Sequence, residues 1–165
     1  MSRSFRRIGA LGASVTAAVA FGVPASATTT QTEDLDFTLY AREVPGDEGD
    51  EGEGQAPGIG DSFAFAEDLS RTKGGDRVGR GGVTCTVVRT GNPGDLHCVG
   101  TYVLSREPGG QLTAQTLMAF DPSDETPAAF DIAITGGTGD FRDARGSIRS
   151  TPDGDYDRLE FHISR

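Results

Sequence analysis

Residues 132–149 read IAITGGTGDFRDARGSIR, and the fold turns on how they are interpreted. Phe130, Ile132 and Ile134 alternate with polar or small residues, the period-two pattern of a strand with one buried face. The run leads into Gly136, Gly137 and Gly139, and Phe141 restarts an apolar position before Gly146. Glycine at three of four positions implies a positive φ or a very close backbone approach, because a Cβ is excluded from both. The pattern predicts a strand, a glycine turn and a second strand, with Thr138 and Asp140 suited to capping the turn's own backbone. A phosphate loop is the competing interpretation. It is disfavoured because no helical period follows Gly139, and neither the GxGxxG nor the GxxxxGK[ST] spacing is present.

Working outward, the same alternation recurs along the chain. Leu35, Phe37 and Leu39 mark a first strand ending near Arg42 and Glu43, and Phe63 and Phe65 mark a second. Val83, Cys85 and Val87, then 96–104, 112–120, 130–134, 144–150 and finally Leu159, Phe161 and Ile163 complete eight strand-like runs. Glycine and proline clusters punctuate the gaps between them, and no amphipathic helix pattern appears. Residues 45–60 hold five acids, six glycines and two prolines, too little apolar surface to offset ordering, so a long solvated loop is expected there. Its acids lack the ligand order of a calcium loop. Asp153, Asp155 and Asp157 are likewise expected in a solvated turn.

The 165 residues suit a single domain. Arg3, Arg6 and Arg7, an apolar run over 8–23 and Ala25-Ser26-Ala27 together predict a signal peptide over residues 1–27, hence a secreted, extracellular protein. A flexible leader is expected over 28–34 and one barrel domain over 35–165. The formal charge of the full sequence is −10, and the signal segment carries three of the 15 basic residues and none of the 25 acidic ones. So acidic a chain repels phosphate backbones and anionic membranes, which argues against nucleic-acid and, after signal cleavage, membrane partners.

Two cysteines in an exported chain suggest one disulfide, and Cys85 and Cys98 lie in consecutive strand runs where they can face each other across a hairpin. The alternative, a reactive thiol, sits poorly with an oxidising compartment. His97 and His162 fall on the polar faces of their runs, and no set of further ligands at fixed spacing points to a metal.

Residues 136–146, GGTGDFRDARG, resemble the signature of dirigent proteins, and a relaxed form occurs in the related allene oxide cyclases. Residues 60–69 (GDSFAFAEDL), 78–88 (VGRGGVTCTVV) and 100–104 (GTYVL) are similar to the same family in the same order, so the resemblance covers most of the chain from about Leu35. It implies an all-β fold, an eight-stranded antiparallel up-and-down β-barrel, which eight alternating runs also suit. It further implies a small apolar or aromatic ligand in the barrel, self-association as a dimer or trimer, and no cofactor. By the same resemblance the working residues would be Glu43, Asp131, Asp140 and Arg145, with Phe63 and Tyr102 lining the interior against an aromatic ligand. An acid in an apolar barrel has a raised pKa and can transfer a proton. The implied function is guidance of a reactive molecule's cyclisation or stereoselective coupling. A carrier without chemistry and a barrel packed shut are the alternatives.

Overall fold

The computed structural model describes residues 34–46, 57–121 and 128–164. The expected signal peptide, most of the leader and the centre of the acidic loop lie outside these residues. The described chain belongs to one unit, Gln31–Arg165. It contains eight strands: β1 Leu35–Glu43, β2 Ser62–Ser70, β3 Arg77–Arg89, β4 Gly94–Leu104, β5 Gly110–Phe120, β6 Phe130–Gly139, β7 Arg145–Pro152 and β8 Asp157–Ser164. Each strand pairs antiparallel with its neighbours in sequence, and β1 pairs with β8 to close the barrel. The seam runs from Leu35 opposite Ile163 to Ala41 opposite Asp157. Closure satisfies backbone groups that an open sheet would leave at two edges.

Alternation puts one face of every strand inside. Leu39, Leu69, Leu112, Ile148, Phe161 and Ile163 are fully buried, and Phe141 joins them from the turn after β6. Phe37 stacks on Phe161 at 4.6 Å between ring centroids, Phe141 tilts against Phe37 at 6.4 Å, and Tyr102 meets Phe161 edge-on at 5.9 Å. These rings fill one part of the barrel.

The glycine signature works differently from the expected turn. β6 continues through Gly136 and Gly137 to Gly139, and the chain reverses only at 140–144. A bulge between Thr113 and Ala114 shifts the register so that Thr113 faces Gly136 and Ala114 faces Ile134. Gly137 is there for close approach: a Cβ would lie 2.6 Å from the Phe141 carbonyl oxygen and 2.7 Å from the Phe141 Cβ. Gly139 then supplies a φ of 64°. The glycines therefore make room for Phe141 to fold back into the barrel.

Cys85 and Cys98 are register partners on β3 and β4 and form a disulfide with Cα atoms 4.1 Å apart. His97 and His162 are exposed, and His162 Nδ1 lies 2.8 Å from Asp36 Oδ1 on the outer wall.

Within the signature, Gly146 has a φ of 137° and faces the His162 carbonyl across β7 and β8, so a Cβ would collide with backbone, whereas at Gly136 the nearest atoms are 3.7 Å away. Gly146→Ala is expected to lower unfolding free energy by about 2–4 kcal/mol, and Gly136→Ala by less than about 1 kcal/mol, in urea titrations followed by circular dichroism.

Candidate functional site

A cavity of about 230 Å³ occupies the part of the barrel that the aromatic plug leaves free. Phe63, Phe65, Val83, Tyr102, Met118 and Leu159 are among its walls, and the Cys85–Cys98 disulfide forms another part of them. Thr116, Ser150 and the Tyr102 hydroxyl are the polar groups of an otherwise apolar lining. Gly100 and Ala114, small residues on the inward faces of β4 and β5, keep the space open. An outer depression that includes Pro57, Asp61 and Phe120 shares Phe63 and Leu96 with the cavity, and Phe63 is half exposed there.

Tyr102 joins this cavity to a row of ionisable groups whose acids do not line it. The ladder registers place Glu43 opposite Glu67, Glu67 opposite Gly81, Gly81 opposite Tyr102, and Tyr102 opposite Leu112. Asp157 of β8 pairs with Ala41, two residues before Glu43 and on the same inward face of β1. Glu67 is the deepest of the three acids, at 8 % exposure, and its Oε2 makes no hydrogen bond. It fits because the facing residue is glycine: a Cβ at Gly81 would come to 2.6 Å from Glu67 Oε2 and 3.3 Å from the Tyr102 ring.

Burial pushes the Glu67 carboxyl up to about 7, with the neighbouring charges of Asp157 and then Glu43 adding to it. Asp157 is also raised, first by burial and then by Glu43. Tyr102 is raised by burial, then by Glu67 and Asp157, and stays a neutral donor. A carboxyl whose ionisation falls near neutrality can give or take a proton there. Among the described residues, no three His, Cys, Asp or Glu side chains are grouped to hold a metal ion.

Of the residues singled out from sequence, Phe63 and Tyr102 line the cavity, and Glu43, exposed at the end of β1, pairs with Glu67. Asp131, Asp140 and Arg145 do not converge on it. Asp131 is on the outer wall, where its Oδ2 lies 3.0 Å from Arg149 Nη1 of the adjoining strand. Its neighbours Phe130 and Ile132 take the inward phase, which turns Asp131 out. Asp140 ties two turns together, its Oδ2 accepting from the Gly109 amide at 2.8 Å and its own amide donating to the Gly109 carbonyl at 2.9 Å. Arg145 is exposed and donates from Nη1 to the Ala144 carbonyl at 2.7 Å, so it braces the turn backbone.

Sequence reasoning passed over Glu67 and Asp157. The signal for Glu67 was present, since Phe63, Phe65, Glu67 and Leu69 share one phase and an acid stands on the apolar face. Asp157 is likewise in phase with Leu159, Phe161 and Ile163, and it is the first residue of β8 rather than part of a solvated turn.

No protein-family model matches the chain, nor does any curated protein sequence. Among solved structures it is similar to a pyocyanin demethylase, at 25% identity and a TM-score of 0.62 over 78% of this chain and 99% of that one. It is also similar to two pterocarpan synthase dirigent proteins. PsPTS1 gives 20% identity and a TM-score of 0.59 over 81% of this chain and 96% of that one. GePTS1 gives 21% and 0.58 over 81% and 89%. The closed eight-stranded barrel and these neighbours define the class by its fold: the chain has the barrel fold that the dirigent proteins also have.

Because Glu67 has a higher pKa folded than unfolded, folding takes up a proton, and this group's contribution makes stability fall as pH rises from about 4.5 to about 7. Glu67→Gln removes that penalty. The variant is expected to match the wild type in urea unfolding at about pH 4 and to exceed it by up to about 3 kcal/mol at pH 8.

Proposed function

We propose that this barrel binds a small aromatic or otherwise apolar molecule in its interior and guides that molecule's cyclisation or coupling, with Glu67 transferring a proton. The observation that carries the reading is the unpartnered buried carboxyl of Glu67, set in the same inward row as Tyr102, whose opposite ring edge borders an apolar cavity. A buried polar atom without a partner destabilises a fold by about 1–3 kcal/mol, so its retention suits a site whose ligand supplies the missing bond. The cavity volume is below the roughly 300–1,000 Å³ of drug-sized sites, which suits a molecule of one or two rings. Apolar walls would hold such a molecule in one orientation, and orientation limits which of its bonds can form.

The names of the structural neighbours agree with small-molecule chemistry on this scaffold, one being a demethylase of pyocyanin and two being pterocarpan synthases. Secretion fits the same reading. The Cys85–Cys98 disulfide belongs to an oxidising compartment and lines the cavity, where it holds β3 to β4.

The test is calorimetric titration of the purified protein with 1-naphthalenemethanol, beside Gly100→Leu. A Cβ at Gly100 meets Val83 and Tyr102 at ordinary contact distances of 3.5 and 3.6 Å, so the longer side chain is accommodated by entering the cavity. One binding site per chain is expected, weakened at least about tenfold in Gly100→Leu while the circular dichroism spectrum is unchanged. Equal binding by the two proteins would remove the interior from the proposal.

A further inference from the structure

The barrel wall is split along one line. β5 pairs with β4 over its whole length, from Gly110 opposite Leu104 to Phe120 opposite Gly94, and β6 pairs with β7 as far as Phe130 opposite Ser150. Between β5 and β6 the ladder runs only from Gly110 opposite Gly139 to Gln115 opposite Ala133. Among the described residues, no pair continues it, although both 116–120 and 130–132 are strand. The Asp131 carbonyl there accepts from the Thr116 hydroxyl at 2.9 Å, a side chain standing where the ladder has ended.

An intact sheet hides its inward side chains from the outer surface, because successive residues point to opposite faces. At the split this separation fails. Thr116 on β5 and Ile132 on β6 are both in the inward phase, and both line the interior cavity. The same two residues also line a groove of about 440 Å³ on the outer wall. Leu117 and Ala133 give that groove apolar walls, and His97, Gln115 and Asp131 are among its polar groups. Leu117 is 63 % exposed, so its apolar surface is open to a ligand. Cavity and groove therefore meet at one pair of residues, one on each side of the split.

We propose that the β5–β6 split is a passage through which a ring held in the cavity extends a flexible chain into the outer groove, so that the site takes an aromatic ring bearing a linear, mainly apolar substituent. This rests on the interior-binding reading given above and specifies its ligand class. The cavity, at about 230 Å³, holds the ring but little more, and the groove is the space into which the rest of the ligand continues. A polymethylene chain is the narrowest apolar substituent, so a passage between two adjoining strands admits it and excludes a second ring system. Thr116 and Ile132 flank the chain, and Leu117 and Ala133 cover its methylenes. Gln115 and His97 offer hydrogen bonds to a polar end group. Each methylene fully buried is worth about fourfold in affinity, so even a partly covered chain adds measurably to binding.

Two probes that share a ring and a hydroxyl test this, 1-naphthalenemethanol and the longer 6-(1-naphthyl)hexan-1-ol, titrated calorimetrically into the wild-type protein, Ala133→Phe, Leu117→Ser and Gly100→Leu. The long alcohol is expected to bind the wild type at least about tenfold tighter than the short one. Ala133→Phe puts a ring into the groove from an exposed strand position and should erase that gain. Leu117→Ser repeats the test without added bulk and should reduce the gain at least about threefold. Both variants should keep the wild-type circular dichroism spectrum and the wild-type affinity for 1-naphthalenemethanol, because neither side chain lines the cavity. Gly100→Leu should weaken both probes at least about tenfold. Equal affinity of the wild type for the two alcohols, or a gain kept in full by both groove variants, would overturn the passage and leave interior binding standing. Failure of both probes to bind would overturn the interior reading and this inference together.

Discussion

Backbone closure at the β1–β8 seam is the constraint on which the remainder depends. Without the pairing from Leu35–Ile163 to Ala41–Asp157, two strand edges would be open and the inward faces would have nothing to surround. Closing eight strands forces close passage where strands tilt and bend, and side chains are left out at those places. Gly137 passes against the Phe141 backbone and Gly146 against that of His162. Once the ring is shut, every inward residue belongs to one interior, and a side chain on β2 becomes a neighbour of one on β8.

That interior is filled unevenly. Phe37 stacked on Phe161, with Phe141 tilted against Phe37 and Tyr102 edge-on to Phe161, forms an aromatic plug. Beyond the plug, Gly100 and Ala114 stand where larger residues would have completed the packing, and the cavity remains. Tyr102 belongs to both regions, since one side of its ring meets the plug while its residue also lines the open space. The acids lie on the other side of Tyr102 from the cavity, with Glu67 buried and Glu43 exposed. Burial raises Glu67 and Asp157 together, and each charge nearby raises them further, so the row resists full ionisation. A protein retaining that arrangement gives up stability near neutral pH and gains a group able to exchange a proton inside an apolar space.

The dirigent-like signature contributes to this architecture through its backbone. Asp140 bridges to Gly109, Arg145 braces the turn at Ala144, and Phe141 enters the plug. A motif identified by resemblance to a functional family thus sits at the packed part of the barrel. The interior acids come from β1, β2 and β8 instead. Asp131 illustrates the same separation: it lies between two inward apolar residues on β6, and a one-residue step in a strand reverses the face.

Period-two alternation was enough to reveal the strands and the turn residues to separate them, because both are local properties of the chain, while the choice of a barrel over a sandwich came from the resemblance. The facing of Cys85 and Cys98 was readable for the same reason, since a hairpin relates residues close in sequence. The inward phase of Glu67 was also written locally, in Phe63, Phe65, Glu67 and Leu69, though a lone acid there does not say whether a partner awaits it. Only the closed structure decided that. Whether β6 turned or continued at its glycines depended on contact with Phe141, and whether Asp157 met Glu43 and Glu67 depended on the seam. Burial, unpaired charge and cavity space arise between strands distant in sequence, so the alternation of any single strand contains no record of them.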